Sequence, residues 1–146
     1  MGDKMDIGFD EKTFVKTIDG YKKIKDIMVG DRVLTKRGRY KEVYEVSAHE
    51  AEIIFTIVFD AENEVFPVVC GKDTQFLTFG MKSGDSLIMA KDMGAYNVVI
   101  GVNEYDEEKG YEMALRIKES PRTVYDLKVM DDESYTVTRY NVVVCE

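Results

Sequence analysis

An all-β fold is predicted by three features of the chain. Short runs rich in β-branched and aromatic residues recur along its length, turn signals separate them, and no segment sustains helical periodicity. TFVKT (13–17) is the first run, and Asp19-Gly20 after it supplies the positive φ of a tight turn. In YKKIKDIMVGD, Ile24 and Ile27 are spaced for one short helical turn before Gly30-Asp31 breaks it. RVLT and YKEVYEV flank KRGR as a hairpin, and EIIFTIVF and EVFPVV flank DAEN as another, with Pro67 marking an edge or a bulge. QFLTF and SLIM follow. The next stretch, with its acidic, Gly-bearing middle, reads as a loop excursion, placed at residues 94–110. ALRIKES, TVYDLKV, the turn DDES and a last hairpin, YTVTRYNVVV, complete the chain.

The bulk properties narrow the function classes. A length of 146 residues predicts a single domain spanning 1–146 that buries a real core, with residues 1–7 expected to be flexible. With 28 acids against 20 bases, the net charge of −8 argues against nucleic-acid and anionic-membrane partners. The one basic cluster, KRGRYK at 36–41, reads as a solvated hairpin tip. Cys70 and Cys145 lie in apolar runs, which predicts reduced thiols and a cytoplasmic location. Two separate thiols and a single His offer no ligand spacing, so neither a metal nor a cofactor is expected. The first residues carry no apolar stretch of the secretory type, and the longest apolar run, IIFTIVF, is far short of a membrane span. His49 reads as a turn histidine, and Asp31 and Asp85 as turn caps.

One internal echo stands out. IMVGDRVLT (27–35) and GMKSGDSLIM (80–89) share an apolar-x-x-Gly-Asp-x-apolar-apolar pattern, and a strand pair follows each. The echo suggests two copies of one β unit, the second enlarged around 94–110.

In register, these stretches resemble the Hint superfamily: inteins, hedgehog autoprocessing domains and bacterial intein-like domains. TFVKTIDGYKKIKDIMVGDRVLT is similar to the family's first block, VVCGKDTQFLTF to its second, and RTVYDLKVMDDESYTVTRYNVVVCE to its last. The likeness runs over residues 8–146 and implies a pseudo-two-fold, all-β horseshoe whose last strand lies at the centre. In that family an initial Cys or Ser attacks the preceding carbonyl, a Thr and a His of the second block polarise and protonate that peptide bond, and a terminal His-Asn pair cleaves the far end. Carried over residue by residue, the nucleophile falls on Gly8, the Thr on Gly71, the His on Thr74, and the final pair on Cys145 and Glu146. Asp126, in VYDL, is the one reactive position retained.

The resemblance therefore implies a degenerate domain that keeps the scaffold and lacks the reaction, a structural or protein-interaction module of phage or mobile-element origin. Its expected partner is a host or flanking polypeptide, and the expected state is a monomer. Two alternatives stay open: residual self-cleavage through Cys145 or Cys70, and an intein inactivated by mutation.

Overall fold

The computed structural model describes residues 5–80 and 84–146. Within them the chain forms thirteen strands and two 3₁₀ turns. The first half comprises β1 (Phe14–Thr17), β2 (Gly20–Lys23), β3 (Arg32–Leu34), β4 (Tyr40–Ala51), β5 (Ile54–Ala61) and β6 (Glu64–Gly71). The second comprises β7 (Gln75–Gly80), β8 (Gly84–Met89), β9 (Val98–Val102), β10 (Glu108–Glu119), β11 (Arg122–Val129), β12 (Ser134–Val137) and β13 (Val142–Cys145). The all-β expectation holds, and the three predicted hairpins form, β3–β4, β5–β6 and β12–β13; β1–β2 and β7–β8 are two more that the structure adds.

The strands hydrogen-bond in the order β11-β4-β3-β1-β12-β13-β7-β9-β10-β5-β6. The last strand is thus central: β13 lies between β12 and β7 and also meets β9 through Val142. Its residues Val142, Val143 and Val144 are buried, because neighbours on both edges and packing on both faces suit an uninterrupted β-branched run. Pro67 sits on β6, at one end of the strand order, where its missing N–H costs no ladder bond.

A repeat is present, but its register differs from the Gly-Asp echo. Gly30-Asp31 lies in the turn before β3, whereas Gly84-Asp85 opens β8; residues 81–83 of that echo lie outside the described residues. The equivalent segments are the 3₁₀ turns Ile24–Asp26 and Ala90–Asp92. A hairpin precedes each, and a short strand followed by a twelve-residue strand comes after it, β3–β4 in one half and β9–β10 in the other. Their shared constraint is burial: Ile24 and Ile27 in the first copy and Ala90 and Met93 in the second enter the core. Gly-Asp is turn chemistry that recurs without implying equivalence. The halves then exchange arms, with β4 pairing with β11 and β10 with β5.

Three further expectations need correction. Residues 98–102, assigned to the excursion loop at 94–110, are β9, and β10 begins at Glu108; Val99 and Ile100 are buried and outweigh the acidic flanks. His49 is not in a turn, because β4 continues through it to Ala51, paired with β11 throughout. Asp85 is a strand residue opposite Phe79, while Asp31 does cap its turn, its Oδ2 accepting the Met28 N–H at 2.9 Å.

The two terminal strands of the order, β11 and β6, are brought together by residues 8–10. Phe9 bridges to Tyr125 on β11 and to Cys70 on β6. Asp10 N–H donates to Val69 O at 3.0 Å. The Phe9 ring is fully buried and packs edge-on against Phe76 and Tyr135, at centroid separations of 6.3 and 6.0 Å. Burying such a ring stabilises by roughly 1.5–3 kcal/mol, so this short segment serves both as a closing strand and as a core element.

Candidate functional site

The positions singled out from the sequence fall into two groups. Gly8, Gly71 and Thr74 come together. Thr74 lies just after β6, where the chain turns toward β7, and its buried hydroxyl faces the Gly8 backbone. Gly8 N–H donates to Thr74 Oγ1 at 3.1 Å, Thr74 Oγ1 donates to Gly8 O at 3.3 Å, and Gly71 N–H donates to the same oxygen at 3.0 Å. The contact is backbone against backbone. Gly8 has φ +134°, and a Cβ there would lie 2.6 Å from Tyr125 O; a Cβ on Gly71 would lie 2.2 Å from Asp6 O. Neither approach is available to a residue with a side chain unless the backbone moves.

Asp126, Cys145 and Glu146 occupy adjoining ground. Tyr125, the neighbour of Asp126, holds Phe9, while Asp126 Oδ1 accepts the Tyr135 hydroxyl at 2.6 Å. Burial pushes the Asp126 carboxyl above the ordinary carboxylate range, against the pull of that hydrogen bond. Cys145 pairs with Gln75, one residue beyond Thr74. Glu146 turns elsewhere: its carboxylate accepts the Val129 N–H at 2.5 Å and its own N–H donates to Glu133 O at 3.1 Å.

Burial raises both thiols. Cys70 is fully buried, and desolvation pushes its thiol up to about 12. Cys145 is partly exposed, and burial raises its thiol as well. Reactive cysteines need the opposite shift, produced by a nearby cation or a helix N-terminus. At the Gly8 nitrogen the facing side chain is a hydroxyl, which cannot serve as a general acid near neutral pH.

Asp6 and Asp73 were not singled out from the sequence, and residues 1–7 were expected to be flexible. Residues 1–4 lie outside the described residues, but Asp6 is buried, which corrects that expectation for this position. Asp6 N–H donates to Asp73 Oδ2, Asp73 N–H donates to Asp6 O, both at 2.9 Å, and Ile53 N–H donates to Asp6 Oδ2 at 3.0 Å. Burial works to raise the Asp73 carboxyl, but the hydrogen bonds from Lys72 and from Asp6 N–H outweigh it and hold the group below its usual range. The available signal was the apolar-alternating MDIGF, which reads as the start of a strand rather than as a tail.

The KRGRYK tip is also anchored. Asp132 accepts from Arg39 through Nε at 2.8 Å and Nη2 at 2.5 Å, and from Thr35 Oγ1 at 2.6 Å. Its cationic charge is partly neutralised within the chain. Among the described residues no group of His, Cys, Asp and Glu side chains has metal-binding geometry, and no helix is long and apolar enough to cross a membrane.

No family model and no curated protein matches the sequence. Solved structures do match it. The TvoVMA intein superimposes with a TM-score of 0.82 at 14% identity, covering 95% of this chain and 97% of that one. A bacterial intein-like domain from Clostridium thermocellum gives 0.78 at 20% identity, covering 98% of this chain and all, 100%, of that one. A DnaB intein from Synechocystis sp. PCC 6803 gives 0.78 at 10% identity, covering 95% and 97%. At these identities the likeness concerns the backbone, and it extends across nearly the whole chain. With its curled sheet, exchanged arms and central last strand, this chain has the intein-like Hint fold.

Proposed function

We propose that the chain is a Hint domain that no longer carries out the acyl shift or the terminal cleavage of its fold relatives and serves as a structural or protein-interaction module. The carrying observation is the closed contact at Gly8. No side chain is available to attack the preceding carbonyl, and the space a Cβ would need is filled by Tyr125 O. Thr74 binds the Gly8 backbone but cannot protonate its nitrogen. Glu146 lacks the amide nitrogen that a terminal Asn uses for cyclisation, and its carboxylate is engaged by Val129. The elevated thiols of Cys70 and Cys145 weigh against either as a substitute nucleophile. The flanking or host polypeptide is the expected partner, and a phage or mobile-element origin is part of the same reading.

The test is a fusion with a folded reporter at each end, incubated with and without a thiol reductant and weighed by intact-mass spectrometry. A single unprocessed mass over several days is the expected result. A fragment from either junction, or a ligated reporter pair, would overturn the proposal.

A further inference from the structure

We propose a second site unrelated to the Gly8 contact: the groove between the β12–β13 turn and β6 binds a small organic carboxylate with an aromatic body. Its apolar lining is Phe14, Phe66, Pro67 and Tyr140, with Lys12 and Arg139 also among its lining residues, and its volume is about 320 Å³. That is the lower end of the range for small-molecule sites, suited to one ring and a short acid.

The floor is prearranged. Tyr140 lies flat on Phe66, with centroids 4.1 Å apart and planes 14° apart, and Tyr111 abuts both edge-on. Arg139 is held by its faces rather than by its edges. Its guanidinium lies 5.0 Å from the Phe14 ring centroid and 5.8 Å from that of Tyr21. Among the described residues, no carboxylate pairs with Arg139 or with Lys12, unlike the matched Arg39 and Arg122. On a chain of net charge −8, an unmatched planar fork beside an apolar floor is complementary to a carboxylate carrying an apolar body.

The turn that presents these groups is strained and reinforced. Thr138 has φ +64°, an outlier for a β-branched residue, and Asn141 has φ +53°. Thr138 N–H donates to Phe14 O at 2.8 Å, the Tyr21 hydroxyl donates to Asn141 Oδ1 at 2.8 Å, and Val102 N–H donates to Asn141 O at 3.1 Å. A Cβ on Gly101 would lie 2.5 Å from Tyr140 O, so β9 also presses against the turn. Three separate segments therefore hold Arg139 and Tyr140 in place, which is the preorganisation that a rigid small ligand exploits.

The experiment is a titration of the ¹⁵N-labelled chain with 3-phenylpropionate, 3-phenylpropionamide and propionate, followed by amide and arginine Nε–H shifts. Saturable shifts at Phe14 and 138–140 are expected, with the acid binding at least about tenfold tighter than either the neutral amide or the ring-less acid. Arg139→Gln should weaken the acid by a similar factor, Arg139→Lys should recover only part of it, and Arg37→Gln should leave it unchanged. Retained spectral dispersion in each variant excludes unfolding as the cause. Equal binding of acid and amide, or indifference to Arg139→Gln, would overturn the site. A peptide ending in Phe with a free carboxylate is the last arm. Tighter binding of that peptide than of the acid would make a chain end the occupant and overturn the small-acid assignment.

Discussion

Phe9 and Tyr125 exchange both of their backbone hydrogen bonds, Phe9 N–H to Tyr125 O and Tyr125 N–H to Phe9 O, each at 2.8 Å. This is a two-bond antiparallel pair between residues far apart in sequence, and with the Phe9–Cys70 bridge it joins the two end strands of the horseshoe. The pair requires Gly8 beside it, because any larger residue would push the closing segment off Tyr125.

That requirement is measurable. Gly8 and Gly20 both have positive φ, at +134° and +111°, but nothing lies within 4 Å of a Cβ on Gly20. Gly20→Ala therefore reports backbone strain alone, at about 1–2 kcal/mol. Gly8→Ala adds the steric conflict and should cost at least about 2 kcal/mol more. Urea unfolding of both variants gives the comparison, and equal losses would show that the contact with Tyr125 O is not tight.

Docking of the preceding residues depends on Asp6. Asp6→Ala leaves the partly buried Ile53 N–H without its acceptor, at a cost of about 1 kcal/mol. Amide hydrogen exchange should accelerate at Ile53, Asp73 and Gly71 before it does in β12 and β13. Unchanged protection at Ile53 would mean that Asp6 contributes nothing to closure.

Two carboxylates should shift stability with pH in opposite directions. Asp132 is held at about 2 against an ordinary 3.8, by its hydrogen bond from Arg39 against the effect of burial. A depressed folded value means stability that is fully present above the unfolded pKa and lost as pH falls through the folded one, here about 2 kcal/mol between roughly pH 4 and 2. Asp132→Asn should lose that amount at pH 7 and flatten the acid limb of a stability curve. Asp126 is raised by burial, so its contribution is present below the ordinary carboxylate range and lost as pH rises through its folded value. Asp126→Asn keeps an acceptor for the Tyr135 hydroxyl and should be neutral or stabilising by up to about 1 kcal/mol at pH 7. The same sign of change in both variants at pH 7 would contradict this pairing.

Thiol labelling tests the two cysteines separately. At pH 8 and without denaturant, iodoacetamide should modify Cys145 slowly and leave Cys70 intact, because Cys70 is fully buried and its thiol is pushed to about 12. Peptide mapping gives the order. Labelling of Cys70 as fast as Cys145 would indicate frequent opening of the contact around Gly8.

The strands were legible from the sequence because their signal is local. The β-branched and aromatic runs, Asp19-Gly20 and the β12–β13 hairpin each specify their own conformation, and the Val run of β13 implied burial on both faces. The resemblance placed Gly8, Gly71 and Thr74 as a set, and the fold brings those three together. Local cues misled where burial outweighed them: the acidic flanks of β9 concealed Val99 and Ile100, and the Gly-Asp echo pointed to the wrong repeat register. What only the tertiary structure decided is long-range: Phe9 spanning β11 and β6, Asp6 locked to Asp73, Arg39 bound to Asp132, and Arg139 laid over the Phe14 ring. Each joins residues far apart along the chain, and no periodicity records such a pairing, because its energy exists only once the sheet has curled and brought them within hydrogen-bond reach.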